Sequence, residues 1–332
     1  MNDALKDILP PKREMILFTG LTEMQKKCLK TIICDNSNEI LNQCTKQHFL
    51  RLIVQLKQIC NHAFLIPTIQ QDENNDVNID GLIHNSSKIL VLNQILPKLQ
   101  RYGHKVVICT QMIRMLDIIE NYLNFFDYNY ERVDGSTAYE NRERAMNNFH
   151  QNRDSFIFLV SSRVGVGIDL SCANTMILFD NDTNPNQDKN TISSCYRIGQ
   201  RNPISIIRLV TRHSIEELYL RGIYENIQPL DFFKNENYRP VFEYIIHCIQ
   251  QIFDIEYPEN NITEEDIESI INPTIHSIDE IQTNISEYNN NTCSTLPLDG
   301  IEVYGICKGI QPKGIQNVID FFNKFIVSDD FN

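Results

Sequence analysis

Residues 105–137 read "KVVICTQMIRMLDIIENYLNFFDYNYERVDGST", and this stretch decides the fold. It opens on KVVIC, a short β-branched apolar run that is typical of a strand buried on both faces. QMIRMLDIIENYL follows with the apolar spacing of an amphipathic helix, and YNYERV is again typical of a strand. A strand, a helix and a second strand in this order predict a βαβ unit with parallel strands.

The same alternation continues on both sides of this unit. Upstream, SSKILVLNQILPKL has a serine cap and helical apolar spacing. Downstream, helix and strand patterns alternate in the segments AYENRERAMNNF, SFIFLV, TMILFD, NQDKNTISSCYRI, ISIIRLV and SIEELYLRGI. Because crossovers between parallel strands are right-handed, residues 86–227 are predicted to form a doubly wound α/β domain whose parallel sheet is covered on both faces.

The segments that flank this domain have other patterns. Residues 1–85 begin with LPPKREMILFTGLT, which starts extended because its prolines disfavour helix before them. Two amphipathic patterns follow, so we expect a helical and partly irregular N-terminal extension that packs on the domain. Residues 228–332 are expected to form an acidic, mostly helical tail.

The net charge of −13 is carried by that tail. Residues 228–332 hold 5 basic and 18 acidic side chains, so the first 227 residues are balanced. A sequence pI of about 5.1 would argue against nucleic-acid binding if the acidic residues were evenly spread. A balanced body with locally placed arginines does not exclude such binding.

The ten cysteines form no C-x-x-C pair, and no apolar run reaches the roughly 18 residues of a membrane span. Both observations favour an intracellular protein with reduced thiols and no membrane association. The sequence CNH at residues 60–62 could belong to a zinc site, but no second half-site follows, so no metal site is predicted.

Ligands of a parallel α/β sheet bind beyond the carboxyl ends of its strands. Four polar or glycine-bearing loops are predicted at that edge, namely TQM (110–112), DGST (134–137), SSRVGVGID (161–169) and DNDTNP (180–185). Such loops suit phosphate contact, because backbone amides approach a phosphate closely only where side chains are small.

Each candidate also has a purely structural interpretation. In SSCYRIGQR, residues 193–201, the Arg197 guanidinium is predicted on a helix at this edge and could contact a phosphate. It could equally pair with a carboxylate such as Asp182 or Asp188. SSRVGVGID could bind a phosphate or a ribose through Asp169, or its glycines could only permit a tight turn. DGST could place a hydroxyl on a phosphate or cap the next helix.

Taken together, the motifs KVVICTQM, ERVDGST, FIFLVSSRVGVGIDL, TMILFDNDTNPNQD, YRIGQR and RLVT resemble the second ATPase lobe of the Swi/Snf-type family of helicase superfamily 2. The resemblance covers residues 10 to about 225 and keeps the family's motif order. Within the family, the segments that look most like the imitation-switch (ISWI) chromatin remodellers are LPPKREMILFTGLTEMQKKCLKTII, QLKQICNHAFL, SSKILVLNQILPKL and ITEEDIESII.

The resemblance implies a site shared between two RecA-like lobes that close on ATP. The first lobe carries the phosphate loop and the Mg²⁺-binding acidic motif, and the second supplies a catalytic arginine, which by position is Arg197. The residues implied to lie against the nucleotide are Gly167, Asp169 and Gln200. The residues implied to face the DNA backbone are Gln111, Ser136, Arg142 and Ser161.

The resemblance also implies partners and a location. The implied partners are double-stranded or nucleosomal DNA, histones and a first ATPase lobe in the same or another chain. ATP with Mg²⁺ is expected only when a first lobe completes the site, and the implied location is the nucleus. The acidic tail is expected either as a solvated spacer or as a segment that folds back over the DNA-facing edge and repels or mimics DNA.

The sequence departs from the family pattern in several places. Ser194 stands where the family usually has a second arginine, and Thr183 stands where it usually has a tryptophan. RVGVGID is one residue shorter than the usual glycine motif, and no G-x-x-x-x-G-K-[ST] occurs. We therefore expect half of an ATP hydrolase that does not hydrolyse ATP alone. The alternative is a degenerate, non-hydrolysing lobe that serves as a DNA-binding, protein-binding or scaffold module.

Overall fold

The structure is a computed structural model, and it describes residues 9–41, 45–67, 79–164, 167–182 and 184–224, with positions 245, 252, 267–268, 271 and 302–304. The strands are β1 (Lys12–Thr19), β2 (Val106–Thr110), β3 (Tyr130–Val133), β4 (Ile157–Ser161), β5 (Thr175–Leu178), β6 (Ile204–Thr211) and β7 (Glu302–Tyr304). The α-helices are α1 (Glu23–Leu41), α2 (Lys46–Asn61), α3 (Ile79–His84), α4 (Ser87–Arg101), α5 (Ile113–Phe125), α6 (Tyr139–Gln151), α7 (Pro185–Cys195) and α8 (Ile215–Tyr224).

The described strands form one parallel sheet in the order β3-β4-β2-β5-β6-β1-β7. From β2 the chain moves to one side of the sheet for β3 and β4, and to the other side for β5 and β6. This reversal is the mark of a doubly wound sheet and places a ligand crevice at the carboxyl ends of the central strands. The predicted fold class, an α/β domain with a doubly wound parallel sheet, is confirmed.

Alternation along the central strand explains why both faces are covered. In β2, Val106 and Ile108 pack in the same apolar cluster as α4 and α5. Val107 and Cys109 pack on the opposite face with side chains of α6 and α7. Since successive residues of a strand point to opposite faces, a run of five buried residues needs helices on both sides.

The N-terminal extension contributes more than the predicted helices. Its strand β1 lies inside the sheet and pairs with β6 over eight residues, from Lys12 with Ile204 to Thr19 with Thr211. Helices α1 and α2 pack with α8 in a separate apolar cluster that includes Phe49. The extension is therefore part of the sheet domain, although its first strand lies far from its partner in sequence.

The described positions of the acidic tail are packed against the body of the protein. Ile245 and Ile252 are buried in the cluster of α1, α2 and α8, and Ile267 and Ile271 are buried in the cluster of α4 and α5. Residues 302–304 pair with β1 at the edge of the sheet. At these positions apolar packing holds the tail against the body, and the rest of the tail, on which the two expected arrangements depend, lies outside the described residues.

His62, which follows α2, couples folding to pH. Its Nε2 atom lies 2.9 Å from the carbonyl oxygen of Leu82, and its Nδ1 atom accepts a hydrogen bond from the amide of Phe64 at 3.0 Å. The side chain is fully buried. Burial lowers the pKa of this imidazole from 6.5 to about 4, although the hydrogen bond to Leu82 acts in the opposite direction.

We expect the protein to lose stability as the pH falls from about 6.5 towards 4. In this window the unfolded histidine binds a proton that the folded one does not, which costs up to about 3 kcal/mol. Urea unfolding at pH 7 and pH 4.5 should show a stability gap between the parent and His62→Gln that narrows at the lower pH. If the difference in unfolding free energy between the two proteins is the same at both pH values, the lowered pKa of His62 is wrong.

Candidate functional site

The four polar loops lie side by side along the carboxyl edge of the sheet, because the strands that precede them are neighbours. The amide of Ser162 donates to the carbonyl oxygen of Thr110 at 3.0 Å, which joins the loops after β4 and β2. The amide of Gln111 donates to Oδ1 of Asp180 at 2.9 Å, which joins the loops after β2 and β5. The sheet therefore assembles one continuous polar edge from segments that are far apart in the sequence.

Arg197 lies in an exposed turn and not on a helix at the carboxyl edge as predicted, since α7 ends at Cys195 and the turn lies close to the segment that enters β5. Within the part of the chain that the structure describes, no carboxylate lies within 4 Å of its guanidinium. Asp188, one of the expected partners, instead binds Arg208 at 2.7 Å. The Arg197 side chain is therefore available to a ligand.

The glycine-bearing loop lies against the segment that carries Arg197. The amide of Leu170 donates to the carbonyl oxygen of Ser194 at 2.9 Å. A Cβ atom placed on Gly199 would lie 3.6 Å from Oγ of Ser171. The two segments that carry the predicted nucleotide contacts are thus adjacent in the fold.

Within that loop, Gly167 and Asp169 are both exposed. Gly167 has a φ of +88°, which only glycine adopts without strain, and nothing lies within 4 Å of the place where a Cβ would be. Burial would raise the pKa of Asp169, but hydrogen bonds from Ser171 and the positive charge of Arg197 outweigh it and lower the pKa. An ionised carboxylate and an open glycine therefore lie on one loop, and the exposed Arg197 is close enough to that loop to act on Asp169.

Gln200 does not fit the predicted nucleotide contact. Its side chain is buried, and Nε2 donates to the carbonyl oxygens of Ala173 at 2.7 Å and Cys195 at 3.2 Å. Its Oε1 atom accepts from the amides of Arg201 and Asn202, both at 2.9 Å. The carboxamide is saturated by these four bonds, so Gln200 shapes the turn that presents Arg197.

Ser194 is a buried residue of α7 and does not face the edge. Its hydroxyl donates to the carbonyl oxygen of Thr191 at 2.7 Å, and the side chain is 2% exposed. A serine that bonds back to its own helix gives a ligand no donor. A ligand can therefore not use Ser194, whereas it can reach the exposed Arg197.

In the DGST loop, Asp134 organises the turn. It accepts from the amide of Ser136 at 2.8 Å and from the Ser136 hydroxyl at 2.6 Å, and its other oxygen accepts from Arg132. The hydroxyl hydrogen bond, helped by Arg132, lowers the pKa of Asp134 to about 2. Ser136 is exposed, but its hydroxyl proton is already used. It does not cap α6, which begins after Ala138 without a side-chain cap.

The other predicted DNA contacts differ in accessibility. Arg142 donates from Nε to the carbonyl oxygen of Thr137 at 2.7 Å, so part of its guanidinium braces the DGST loop. Gln111 is half-buried, whereas Ser161 is only 3% exposed at the end of β4. A surface ligand therefore reaches Ser161 poorly. The prediction was made from the position of Ser161 in the motif and did not take into account that the strand end is buried.

A buried polar network beneath the edge was not predicted. Asp180 accepts from the hydroxyl of Thr110 at 2.8 Å and from the side-chain amide of Asn61 at 2.7 Å. Arg208, 2% exposed, binds Glu14 at 2.7 Å in addition to Asp188. A charged residue inside an apolar strand, such as the arginine of ISIIRLV, is the sequence signal that could have revealed this network.

No described helix is long and apolar enough to span a bilayer. No described group of three or more His, Cys, Asp or Glu side chains is arranged to hold a metal ion.

Comparison with known proteins identifies the domain. The family described as "Helicase conserved C-terminal domain" matches residues 87–199. Among curated proteins, "Protein CHROMATIN REMODELING 5" of Arabidopsis thaliana is 38% identical over 226 residues, which cover 64% of this chain and 13% of that protein. "ISWI chromatin-remodeling complex ATPase CHR11" of the same plant is 29% identical over 336 residues, which cover 98% of this chain and 31% of that protein. The chain spans less than a third of the length of these two relatives.

A solved structure shares the fold. The "Sulfolobus solfataricus SWI2/SNF2 ATPase core in complex with dsDNA" superposes with a TM-score of 0.58 at 23% sequence identity. The match covers 77% of this chain and 53% of that chain.

Proposed function

Because the chain contains the C-terminal RecA-like lobe of a Swi/Snf-type ATPase of helicase superfamily 2, we propose that it acts as the second motor lobe of an ATP-dependent chromatin remodeller. The observation that carries the proposal is the exposed Arg197, which lies without an ion-pair partner among the described residues and beside the loop of Gly167 and Asp169. A structural arginine would be expected to pair with a nearby carboxylate.

In this proposal ATP with Mg²⁺ is held between this lobe and a first lobe, which belongs to the same longer protein or to another chain. Arg197 donates to the γ-phosphate and neutralises the negative charge that develops there during hydrolysis. Gly167 lets the loop backbone approach the nucleotide, and Asp169 accepts from a hydroxyl group. These residues suit a nucleotide because all three are exposed and the segments that carry them are adjacent.

DNA is proposed to lie along the carboxyl edge of the sheet. Gln111 comes from the loop after β2, Ser136 from the loop after β3 and Arg142 from the first turn of α6. They offer polar groups to the phosphate backbone without reading bases. Ser161 is a weaker candidate because of its burial. The double-stranded DNA in the related archaeal complex supports this assignment. We further propose that the substrate is nucleosomal DNA, with histones as partners and the nucleus as location.

The ISWI subgroup is proposed from the length of one match. The CHR11 match extends over 98% of this chain, and it therefore includes both the N-terminal extension and the tail. The match to CHROMATIN REMODELING 5 has higher identity but covers only 64% of this chain.

The proposal predicts DNA-stimulated ATP hydrolysis when the chain is combined with the first lobe of a relative such as CHR11. Turnover would be measured with the first lobe alone, with this chain alone and with both, each with and without nucleosomes. We expect stimulated turnover only with both. Retained DNA binding without any turnover would instead support the second candidate, a non-hydrolysing binding module, which the buried and self-bonded Ser194 favours.

A further inference from the structure

Lys57 lies on α2 of the N-terminal extension, and its side chain contacts the loops at the carboxyl edge of the sheet. Its side chain is 4% exposed. The Nζ atom donates to Oε1 of Gln111 at 3.1 Å and to the carbonyl oxygen of Asn181 at 3.0 Å. It also lies 4.9 Å from the ring centroid of Tyr219. One ammonium group thus joins the loops after β2 and β5 to helix α8.

Gln111 is held at two points, by Lys57 at its side chain and by Asp180 at its main chain. Lys57 binds the side-chain oxygen, while Asp180 accepts from the main-chain amide at 2.9 Å. An ammonium group only donates, so it selects the carboxamide orientation in which the oxygen faces Lys57. The Nε2 group of Gln111 is consequently the donor that remains.

Among the residues that the structure describes, the remaining donor has no hydrogen-bond partner. Nε2 of Gln111 is shielded from solvent and makes no hydrogen bond, and the same is true of the Nδ2 atom of the neighbouring Asn181. An unsatisfied buried donor costs about 1–3 kcal/mol, and an acceptor that reached Nε2 would remove this cost. A phosphate oxygen is such an acceptor.

We propose that Lys57 is the positioning residue for the DNA-backbone contact of Gln111. It orients the half-buried carboxamide so that Nε2, and not the oxygen, is the group left to donate to a phosphate oxygen of double-stranded DNA. The inference rests on the proposed function of this edge and extends it to the N-terminal extension. Lys57 lies outside the matched helicase domain of residues 87–199.

The test measures binding of a labelled DNA duplex to the full chain by fluorescence anisotropy. Lys57→Met removes the donors but keeps the length of the side chain, and it should weaken binding roughly three- to tenfold, as the loss of one hydrogen bond does. Lys57→Arg can still donate to both acceptors and should bind within about twofold of the parent. Lys27→Met removes an exposed lysine of α1 and is the charge-matched control, with an expected change under about twofold.

A double-mutant cycle with Gln111→Ala separates positioning from a loss of stability. If Lys57 acts through Gln111, the double variant Lys57→Met with Gln111→Ala binds no more weakly than Gln111→Ala alone. Additive losses would overturn the inference, as would full binding by Lys57→Met. Thermal unfolding of each variant confirms that the assay temperature leaves it folded, and the Lys57→Arg result stands even if Lys57→Met fails to fold.

The binding data distinguish a wrong DNA contact at Gln111 from a wrong role for Lys57. If the parent does not bind DNA, or if Gln111→Ala binds as well as the parent, the proposed DNA contact at this loop is wrong. If Gln111→Ala weakens binding and Lys57→Met does not, the DNA contact stands and the positioning role of Lys57 is wrong.

Discussion

Arg197→Ala should lower DNA-stimulated ATP turnover by a factor of about 10³ or more when the chain is combined with a first lobe. An arginine that neutralises charge on a transferring phosphoryl group contributes a factor of about 10³–10⁵ to the rate. The charge develops mainly in the transition state, so the loss should appear in kcat and much less in KM for ATP. Steady-state turnover at saturating nucleosome concentration would measure it.

The matched control is Arg201→Ala. Arg201 is also exposed and lies only four residues further along the chain, but it follows the turn that presents Arg197. We expect turnover within about twofold of the parent for this variant, since a surface charge away from the phosphate contributes little. If Arg197→Ala and Arg201→Ala behave alike, the catalytic assignment of Arg197 is refuted.

The largest stability effect is expected for the ion pair of Lys88 and Glu216. Both side chains are fully buried, and Nζ of Lys88 lies 2.6 Å from Oε1 of Glu216. Lys88 also donates to the carbonyl oxygen of Phe179 at 2.8 Å and to Oδ1 of Asn61 at 3.0 Å. The second carboxylate oxygen accepts from the amide of Thr211 at 2.7 Å. This pair ties α4 to α8 and to the ends of β5 and β6.

Lys88→Met should lower the free energy of unfolding by about 3–5 kcal/mol. The substitution leaves the Glu216 carboxylate buried without its cation, and an isolated buried charge is far more costly than an intact pair is stabilising. The double variant Lys88→Met with Glu216→Leu should recover part of the loss because it removes the isolated charge. Guanidinium unfolding at pH 7 would measure all three proteins.

An exposed pair on α1 is the control for this experiment. Lys26 and Glu23 lie 2.8 Å apart, but the Glu23 side chain is 67% exposed. Solvent screens such a pair, so Lys26→Met should cost less than about 1 kcal/mol. If Lys26→Met and Lys88→Met lower the free energy of unfolding equally, burial does not determine how much the Lys88 pair stabilises the protein.

Much of the edge could be predicted because it follows from local patterns. The runs KVVIC and SFIFLV are short, apolar and β-branched, so they predicted buried strands that the structure contains as β2 and β4. The polar segment after each strand then predicted where a ligand edge would lie. Arg197 was predicted on a helix at this edge, but α7 ends before it and the residue lies in the turn that follows.

Gln200 and Ser161 show where local patterns were insufficient. Both were assigned by their place in a motif, but whether a polar side chain faces a cleft or saturates its own turn depends on the neighbours that folding supplies. Gln200 is satisfied by four backbone groups on three separate stretches, and Ser161 is buried at its strand end. Lys57 was missed for the same reason, since its partners are 54 and 124 residues away.

The amino-acid sequence by itself determined the alternation of strands and helices, the parallel class of the sheet and the polar character of its carboxyl edge. These properties depend on apolar periodicity and turn residues within a few positions of each other. Only the tertiary structure decided that β1 enters the sheet beside β6, that Arg197 is exposed and that Lys57 supports Gln111. Such contacts join residues far apart in the chain, and their free energy depends on burial and on partners that no local pattern specifies.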